Sequence, residues 1–576
     1  MGDSLRPVQA KSVLVVPFTE ELIPDETTAL LAPGQQDIDE NGDPENGSSS
    51  NDEVSAKKAP SSRSIFVTLQ LLLIGVFISQ ADATLVLATY GTIASEFNDL
   101  QNGSWLISSY MLAMCTAQPL YGKLSDIFGR KNMLQVSYGL FALGSLLCGF
   151  GQSILQLVMA RSIQGLGGAG MVCLVSIIIT DLVPLREVAT YRSYVNIIQT
   201  MGRSSGGAIG GFLAQAIGWR WALSVQSPLT LIAMGLMTVG LTIDNKQKSS
   251  HEGSDAPQPS LTQSLRRVDF AGALFMSVSV LSLLLIFDVG GEKVPWNSPL
   301  ILILLGTSLA AGVLFFLTEK RWAAEPIFPL HLLSNRNVLT PYFISTLQNA
   351  TQCVLVFVIP LYFQITQNSS TGEAGAFLIP TVAGNAIGGL LTGRAIKNTG
   401  RYRLATILAP VSSCFCFVLL LFFWSGKTPI WQSLLVFFGG FGTGIAHSAI
   451  FVAIAAGVDE EHMAIASSGL YLSTSVGAVT GISAGSAVMQ AVLRPTLEKS
   501  LFGVVPNVQE MVEKALSDIK YVQKLEGLAH ELVVGAYLQS FRGMFILCIF
   551  LSFLCFLAGF FFRKSVYVDD IFDIDS

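Results

Sequence analysis

The stretch GKLSDIFGRK at residues 122–131 follows directly after an apolar run and gives the first indication of how the chain is built. A second stretch, GRAIKNTGRYR at residues 393–403, also follows an apolar run. Both read glycine, a basic residue, five further residues, glycine and arginine. Because both copies stand at the end of an apolar segment, we predict an internal duplication that builds the chain from two related halves.

The composition is that of a membrane protein. Apolar residues make up 51% of the 576 positions and charged residues only 13%, and the mean hydropathy is +0.55. A soluble chain carries about 25% charged residues. The net charge of −6 gives no basic excess that would suggest nucleic acid as a partner. The eight cysteines lie in apolar segments without metal-ligand spacing, so we expect neither a metal nor a cofactor.

Apolar runs long enough to cross a bilayer follow one another from residue 65 onward. A spanning helix needs about 20 largely apolar residues, and we predict an all-α polytopic protein with fourteen spans. They lie near residues 65–92, 104–124, 133–152, 154–181, 190–217, 223–243, 269–289, 299–318, 338–365, 374–394, 404–424, 430–457, 464–490 and 542–562. If the second motif copy ends the second span of its half, as the first copy does, each half has six spans and the seventh and eighth are an insertion.

This division predicts the following domains. A polar, acidic tail at 1–62 should be disordered, because it cannot bury enough apolar surface to offset its ordering entropy. The segment 491–541 has apolar residues at near-helical spacing, which indicates one or two short amphipathic helices that cap the bundle or serve regulation. The remaining units are the first six-helix half at 63–243, a linker at 244–268, two inserted helices at 269–336, the second half at 337–563 and a tail at 564–576.

The orientation follows from basic residues in the short loops. Lys123, Arg130 and Arg401 belong to a basic-rich set of loops on one side, whereas the opposite short loops hold only Arg220, Lys293 and Lys427. We predict that both termini are cytosolic. Two candidate glycosylation sequons, at Asn102 and Asn368, then fall on the non-cytosolic side.

Three motifs carry a resemblance to the major facilitator superfamily. GKLSDIFGRK resembles its cytosolic loop motif, and RSIQGLGGAG at 161–170 resembles its fourth-helix motif, with Arg161, Gln164 and Gly165 in the matching places. GRSSGGAIGG at 202–211 resembles the fifth-helix antiporter motif, and WRW at 219–221 with IPLYFQ at 359–364 is similar to the fourteen-helix drug:proton antiporter branch. The resemblance covers roughly residues 64–563 and implies the major facilitator fold.

The antiporter motif departs from the family pattern at one place. Its candidate residues are Gly202, Gly206, Gly207, Gly210 and Gly211. Gly207 stands where the family usually has proline, so this position does not itself imply the bend of the fifth helix or antiport.

The stretch ADATLVLATYGTIASEF at 81–97 is most similar to the fungal vacuolar basic amino acid transporters. This resemblance implies a proton-coupled antiporter that moves lysine, arginine and histidine into the vacuole. Multidrug exporters have a related acid in the same helix, so a multidrug:proton exporter of the plasma membrane stays open. A transporter-like nutrient sensor without flux is an alternative of another class.

Several residues are candidates for transport. Asp82 is an acid inside an apolar run, and an intramembrane acid is expensive and usually marks a functional path. Arg161 falls at a similar depth, so we expect the two to pair, to face the central cavity and to exchange a proton for the cationic substrate. Gln164 and Arg203 complete this set, although Arg203 is equally typical of a structural partner and of a substrate contact. His447 is more typical of a core histidine than of a proton relay. The gating-loop candidates are Gly122, Asp126, Gly129, Arg130 and Lys131.

Two further patterns concern enzymes and sorting. GLGGAG at 165–170 lies inside a predicted span without a preceding strand, and SGKT at 425–428 lacks the upstream glycine of a P-loop, so no nucleotide enzyme is indicated. ETTALL at 26–31 fits an acidic dileucine signal through Glu26, Leu30 and Leu31, which a sorting adaptor complex would read. The expected partners are therefore protons, a small cationic substrate, membrane lipid and that adaptor.

Overall fold

The computed structural model describes residues 62–97, 99, 102–240, 267–290, 294–322, 326–426, 428–459, 462–502, 504, 507–517 and 519–560. Within these ranges the chain is almost wholly helical, and the one extended feature is a bridge between Gly290 and Val294. Most of the predicted N-terminal tail, the linker up to residue 266 and the C-terminal tail lie outside the described residues.

The first half contains seven helices, of which the last two form one broken span. They are α1 (Ser62–Glu96), α2 (Trp105–Phe128), α3 (Arg130–Phe150), α4 (Ile154–Leu182), α5 (Leu185–Ile217), α6 (Trp219–Ser224) and α7 (Gln226–Gly240). Two long helices and a short one follow: α8 (Phe270–Val289), α9 (Pro299–Arg321) and α10 (Leu330–Ser334).

The second half alternates long helices with short ones. Its helices are α11 (Arg336–Thr366), α12 (Thr371–Ala376), α13 (Ile379–Thr399), α14 (Arg403–Phe423), α15 (Ile430–Ser433), α16 (Phe437–Ala455), α17 (Met463–Leu501), α18 (Val508–Ser517), α19 (Ile519–Gln523) and α20 (Gly527–Phe560). A single 3₁₀ turn (Leu434–Val436) joins α15 to α16.

The two halves repeat one packing pattern, as the duplicated motif predicts. In the first half α1 packs against α5, α2 and α3 pack against α4, and α3 packs against α7. In the second half α11 packs against α17, α13 and α14 pack against α16, and α14 packs against α20. The motif copies lie at the ends of α2 and α13, the second long helix of each half, and α8 and α9 are the two long helices between the halves.

The second glycine of each motif copy has the same structural role. Gly129 separates α2 from α3 with φ of 89°, and Gly400 ends α13 with φ of 67°. L side chains rarely adopt such positive φ values, so a glycine is the residue that suits both turns.

The halves meet mainly at the end of the bundle that carries the Gly122 loop. There α2 packs against α17, α5 packs against α13, and one hydrophobic core includes residues of both halves. At the opposite end each half has a core cluster of its own, and α8 packs beside α2 and α17. The described residues therefore form a bundle whose halves are joined at the Gly122 end.

Long helical segments occupy all fourteen predicted positions, and twelve of them are long and apolar enough to cross a membrane. The other two, α2 and α5, are the helices that carry the polar loop and glycine motifs. The all-α polytopic architecture predicted from the sequence is therefore present in the described residues, and the spanning of α2 and α5 stays a prediction.

The segment 491–541 is more helical than the sequence indicates. Helix α17 continues to Leu501 and α20 already begins at Gly527, so both pass well beyond the predicted span ends. Between them lie the two short helices α18 and α19. Their apolar residues Met511, Val512 and Val522 pack in the core of the second half, which favours the interpretation of a packing cap.

Candidate functional site

Asp82 and Arg161 form a buried ion pair between α1 and α4. Arg161 Nη1 lies 2.5 Å from Asp82 Oδ2, and the exposed fractions of the two side chains are 2% for Arg161 and 0% for Asp82. The same nitrogen donates to Gln164 Oε1 at 2.6 Å, and Arg161 Nε donates to the carbonyl of Leu106 at 3.1 Å. The guanidinium is thus held by a carboxylate, an amide and a backbone carbonyl. A buried charge needs such an ion-pair partner and such hydrogen bonds to offset its loss of hydration.

Tyr110 of α2 completes the wall of this pair. Its ring centroid lies 4.3 Å from Arg161 Cζ, and its hydroxyl donates to the carbonyl of Ser79 at 3.2 Å. A Cβ on Gly168 would lie 2.4 Å from the Tyr110 hydroxyl, and one on Gly165 would lie 2.4 Å from the Tyr110 carbonyl oxygen. The glycines of the fourth-helix motif therefore allow α4 to approach α2 closely around the pair.

The burial of Asp82 differs from the sequence-based expectation. We expected its carboxylate to face the central cavity, but the side chain is enclosed by α1, α2 and α4 and has no exposed surface. Its second oxygen, Oδ1, accepts no hydrogen bond from a described side chain or backbone group. The pairing with Arg161 is present, whereas access to the space between the halves is absent in this arrangement.

The loop between α2 and α3 is held by Arg130. Arg130 Nη1 donates to Asp126 Oδ1 at 2.5 Å and to Ser125 Oγ at 2.6 Å, while Nε donates to Asp181 Oδ2 of α4 at 3.0 Å. Burial raises the pKa of the Asp126 carboxyl, and the guanidinium beside it opposes that rise. Arg130 therefore ties the loop to the end of α4 through two carboxylates.

The other loop candidates face different neighbours. A Cβ on Gly122 would lie 2.6 Å from Ser468 Oγ and 2.9 Å from the carbonyl oxygen of Ala464, so this glycine packs directly on α17 of the second half. Lys131 Nζ donates to the carbonyl of Thr238 at 2.7 Å. The loop motif thus contacts both halves of the molecule.

The second motif copy makes another kind of contact between the halves. Lys397, near the place that Asp126 has in the first copy, lies with its Nζ 2.7 Å from Glu187 Oε1 of α5. A Cβ on Gly393 would lie 3.0 Å from the carbonyl oxygen of Ala189, so α13 and α5 are in close contact. The acid–base arrangement of the first copy is replaced by an ion pair across the halves.

The glycines of α5 divide into two groups. Added Cβ atoms on Gly202, Gly206 and Gly210 would lie 2.9, 2.1 and 2.5 Å from the nearest atoms of α1, so these three glycines form its contact face. Gly211 would meet nothing within 4 Å, and Gly207 only one carbonyl oxygen at 3.7 Å. Helix α5 runs without a break through Gly207 from Leu185 to Ile217.

Arg203 and His447 lie apart from the buried pair. Arg203 Nε donates to Gln80 Oε1 of α1 at 2.8 Å, and its side chain is exposed. His447 of α16 is half-buried, and its Nδ1 lies 3.0 Å from Asn196 Oδ1 of α5. The predicted transport residues thus fall into two places, with Asp82, Arg161 and Gln164 together and Arg203 separate.

The family of the chain follows from its sequence as a whole. Residues 72–482 match the family model described as Major Facilitator Superfamily. The chain belongs to the major facilitator superfamily. It is accordingly a multi-pass membrane transporter rather than an enzyme.

Relatives in this superfamily include both amino acid and drug transporters. The chain is 32% identical over 87% of its length to the "vacuolar membrane amino acid uptake transporter fnx2" of Schizosaccharomyces pombe, covering 85% of that protein. It is 31% identical over 87% of its length to the "multidrug resistance protein fnx1" of the same organism, covering 93% of it. It is 27% identical over 78% of its length to the "vacuolar basic amino acid transporter 2" of Saccharomyces cerevisiae, covering 95% of it.

A solved structure shares the fold. The proton:xylose symporter XylE superposes with a TM-score of 0.55 at 13% identity, over 88% of this chain and 99% of that one. At this identity the likeness concerns the superfamily fold alone.

The remaining predicted features lie on the surface or outside the described residues. Asn102 and Asn368 are both exposed; the side-chain nitrogen of Asn102 donates to Asp99, and Asn368 has φ of 52°. The dileucine residues Glu26, Leu30 and Leu31 lie outside the described residues. All eight cysteines are free, and no cluster of three or more metal-ligating side chains occurs in the described ranges.

Sequence reasoning missed several partners of this major facilitator site. Asp181 is an acid near the end of the predicted fourth span, on the same side of the membrane as the Gly122 loop. That position was the one signal in the sequence for its contact with Arg130. Tyr110 and Gln80 gave no signal, because an aromatic residue and an amide within apolar helices are common without function.

Proposed function

We propose that this major facilitator transporter is a proton-coupled antiporter that moves basic amino acids into the vacuole. The observation that carries the proposal is the 32% identity, over 87% of the chain, to a vacuolar amino acid uptake transporter. The vacuolar basic amino acid transporter of S. cerevisiae supports the basic substrate class. The same relatives support a vacuolar membrane location.

Asp82 is the proton site of this proposal. A carboxylate at membrane depth is expensive to keep charged, and intramembrane acids commonly belong to proton relays. Oδ2 is occupied by Arg161, whereas Oδ1 accepts no hydrogen bond from a described group. A proton can therefore bind at Oδ1 without displacing the guanidinium from Oδ2.

Coupling requires that Asp82 gain access to water at some stage of the cycle. Its enclosure by α1, α2 and α4 means that these helices must separate before a proton can leave or arrive. Since α2 also contacts α17 of the second half through Gly122, movement between the halves would alter the packing around Asp82. In this proposal, opening of the bundle at the Gly122 end during alternating access would also change the access of water to Asp82.

The energetics are sufficient for accumulation. When a monovalent cation is exchanged for one proton, the membrane potential cancels and only the pH difference drives transport. A difference of two pH units supplies about 2.7 kcal/mol. This corresponds to roughly a hundredfold concentration of substrate.

A multidrug:proton exporter of the plasma membrane is the second candidate. It is supported by 31% identity over 87% of the chain to a multidrug resistance protein. The same buried acid could couple protons to a lipophilic cation, so the ion pair does not separate the two candidates.

Uptake of labelled lysine into purified vacuoles, with and without a proton uncoupler, tests the proposal. We expect accumulation in vacuoles that contain the chain, and its loss when the uncoupler is added. Unlabelled lysine, arginine and histidine should compete, and glutamate should not. Competition by bulky lipophilic cations without competition by lysine would favour the exporter, and absence of any flux would favour a sensor.

A further inference from the structure

One face of α5 points toward the second half of the molecule. Asn196 Nδ2 donates to Asn385 Oδ1 of α13, and Asn196 Oδ1 accepts from His447 Nδ1 of α16 at 3.0 Å. Arg203 follows Asn196 by seven residues, which places it on the same face two turns further along, about 10 Å away. Arg203 therefore lies on the face of α5 that is turned toward the second half.

The surroundings of Arg203 agree with this direction. On the side of the first half its Nε donates to Gln80 Oε1 at 2.8 Å. On the other side, His447 of the second half contacts Asn196, which lies two turns before Arg203 on the same face of α5. Since Arg203 is also exposed, it is not enclosed by the protein as Asp82 is, and the face of α5 that carries it is turned toward the second half.

The packing of α5 on α1 fixes this position. Gly202, next to Arg203, would bring a Cβ to 2.9 Å from the carbonyl oxygen of Phe77 and 3.0 Å from Gln80 Cβ. The close approach of the two helices sets Gln80 beside Arg203, so one nitrogen of the guanidinium is anchored. This contact occupies Nε of Arg203 and leaves its two terminal nitrogens without a hydrogen-bond partner among the described residues.

No carboxylate among the described residues balances this charge. None lies within 4.0 Å of the Arg203 guanidinium, and Asp82 is already paired with Arg161 and fully buried. A guanidinium at membrane depth is costly without a counter-charge. It also matches a carboxylate in shape and donates two parallel hydrogen bonds to it.

We propose that Arg203 binds the α-carboxylate of the amino-acid substrate, an inference that rests on the amino acid transport proposed above. The cargo is then recognised first as an amino acid, and its cationic side chain must point away from Arg203. A lipophilic cation without a carboxylate finds a like charge at this position instead. The site therefore fits a zwitterionic or cationic amino acid and disfavours a simple cationic drug.

Competition against labelled lysine in vacuoles containing the full chain tests this assignment without any mutation. Cadaverine has the amine side chain of lysine but lacks the carboxylate. Because cadaverine cannot form the charge-assisted hydrogen bonds to Arg203, we expect it to compete at least about tenfold more weakly than unlabelled lysine. Equal competition by cadaverine overturns the assignment.

Variants give a second measurement. Arg203→Gln should raise KM for lysine at least about tenfold, and Arg203→Lys should recover part of that loss because it keeps the charge but not the paired donors. Arg494→Gln is the control, since Arg494 is 60% exposed and its one ion-pair partner among the described residues is Glu498, one turn away in the same helix. An unchanged KM in Arg203→Gln overturns the assignment; if that variant does not accumulate, the cadaverine result decides.

The two proposals fail in different ways. If the wild-type chain takes up no amino acid, the proposed function is wrong and the role of Arg203 falls with it. If lysine accumulates and cadaverine competes equally well, amino acid transport stands and only the carboxylate site is wrong.

Discussion

Arg161 Nη1 lies 2.5 Å from Asp82 Oδ2, and this contact joins α4 to α1 inside the first half. Both charges are removed from water, so their attraction and the hydrogen bonds around them must offset a large desolvation cost. Such a pair adds little net stability, and its retention in an apolar helix favours a functional role over a purely structural one. The structural alternative is a static ion pair, and the first prediction separates the two.

Asp82→Asn should abolish uncoupler-sensitive accumulation of lysine, because asparagine keeps the shape but cannot bind and release a proton. Removal of one partner from a buried pair costs about 3–5 kcal/mol, so the double variant Asp82→Asn with Arg161→Gln is measured beside it. We expect no coupled uptake in either variant at matched membrane abundance, and partial uptake in Asp82→Glu. An Asn variant that still concentrates lysine in an uncoupler-sensitive way would make Asp82 a structural partner only.

The sequence predicted this pair because an acid and a base at similar depth in two apolar runs have few other partners. It did not predict that the pair is fully buried. The burial depends on the close approach of α4 to α2, where Gly165 and Gly168 contact Tyr110, and the hydropathy of the sequence does not indicate that contact.

More of the fold than of the candidate site could be predicted from the sequence. The two motif copies at Gly122 and Gly393 lie at the ends of α2 and α13, the second long helix of each half, as the repeat predicted. The lengths of α17 and α20 were underestimated, because a span was ended where hydropathy falls although the helices continue. The contact between Asn196 and Asn385 joins residues 189 positions apart, and no local pattern indicates it.

Asp126→Asn tests the gating loop. Arg130 would keep its hydrogen bond to Asp181 at 3.0 Å but lose the charge partner at 2.5 Å, so we expect normal protein abundance and a several-fold loss of lysine uptake. Asn132→Ala, an exposed change in the first turn of α3 next to this loop, is the control. Normal uptake by Asp126→Asn at normal abundance would reduce the loop to a topological anchor.

The vacuolar address is tested by replacing Leu30 and Leu31 with alanine. The pair lies outside the described residues, and the prediction rests on its match to a dileucine signal. We expect fluorescence of the tagged double variant at the plasma membrane, with lysine transport per molecule unchanged. Leu14→Ala in the same tail should leave the protein at the vacuole, and vacuolar fluorescence of the double variant would contradict the signal.

Glu96 gives a pH-dependent contribution to stability at the end of the bundle opposite the Gly122 loop. Its carboxylate accepts hydrogen bonds from Arg220 and from Trp219 Nε1, both at 2.5 Å, and these contacts lower the pKa of Glu96. A lowered folded pKa means that the contribution is present above the ordinary glutamate pKa and is lost as the pH falls through the lowered value.

The pair is exposed, so its contribution should not exceed about 1 kcal/mol. Glu96→Gln should lower the apparent Tm of the purified protein slightly at pH 7. The difference from the wild type should disappear at a pH below the lowered pKa. A difference that stays constant over this range would show that the carboxylate charge does not cause it.

The glycine face of α5 makes the sharpest prediction about packing. A Cβ on Gly206 would lie 2.1 Å from the carbonyl oxygen of Ala81, whereas a Cβ on Gly211 would meet nothing within 4 Å. Gly206→Ala must therefore push α5 away from α1, and overpacking of this kind costs about 1–3 kcal/mol. Gly211→Ala makes the same chemical change in the same helix without a clash. We expect a lower apparent Tm for Gly206→Ala and an unchanged Tm for Gly211→Ala, measured on purified protein in one detergent. Equal Tm values for the two variants would mean that α1 and α5 are not packed as closely as the structure places them.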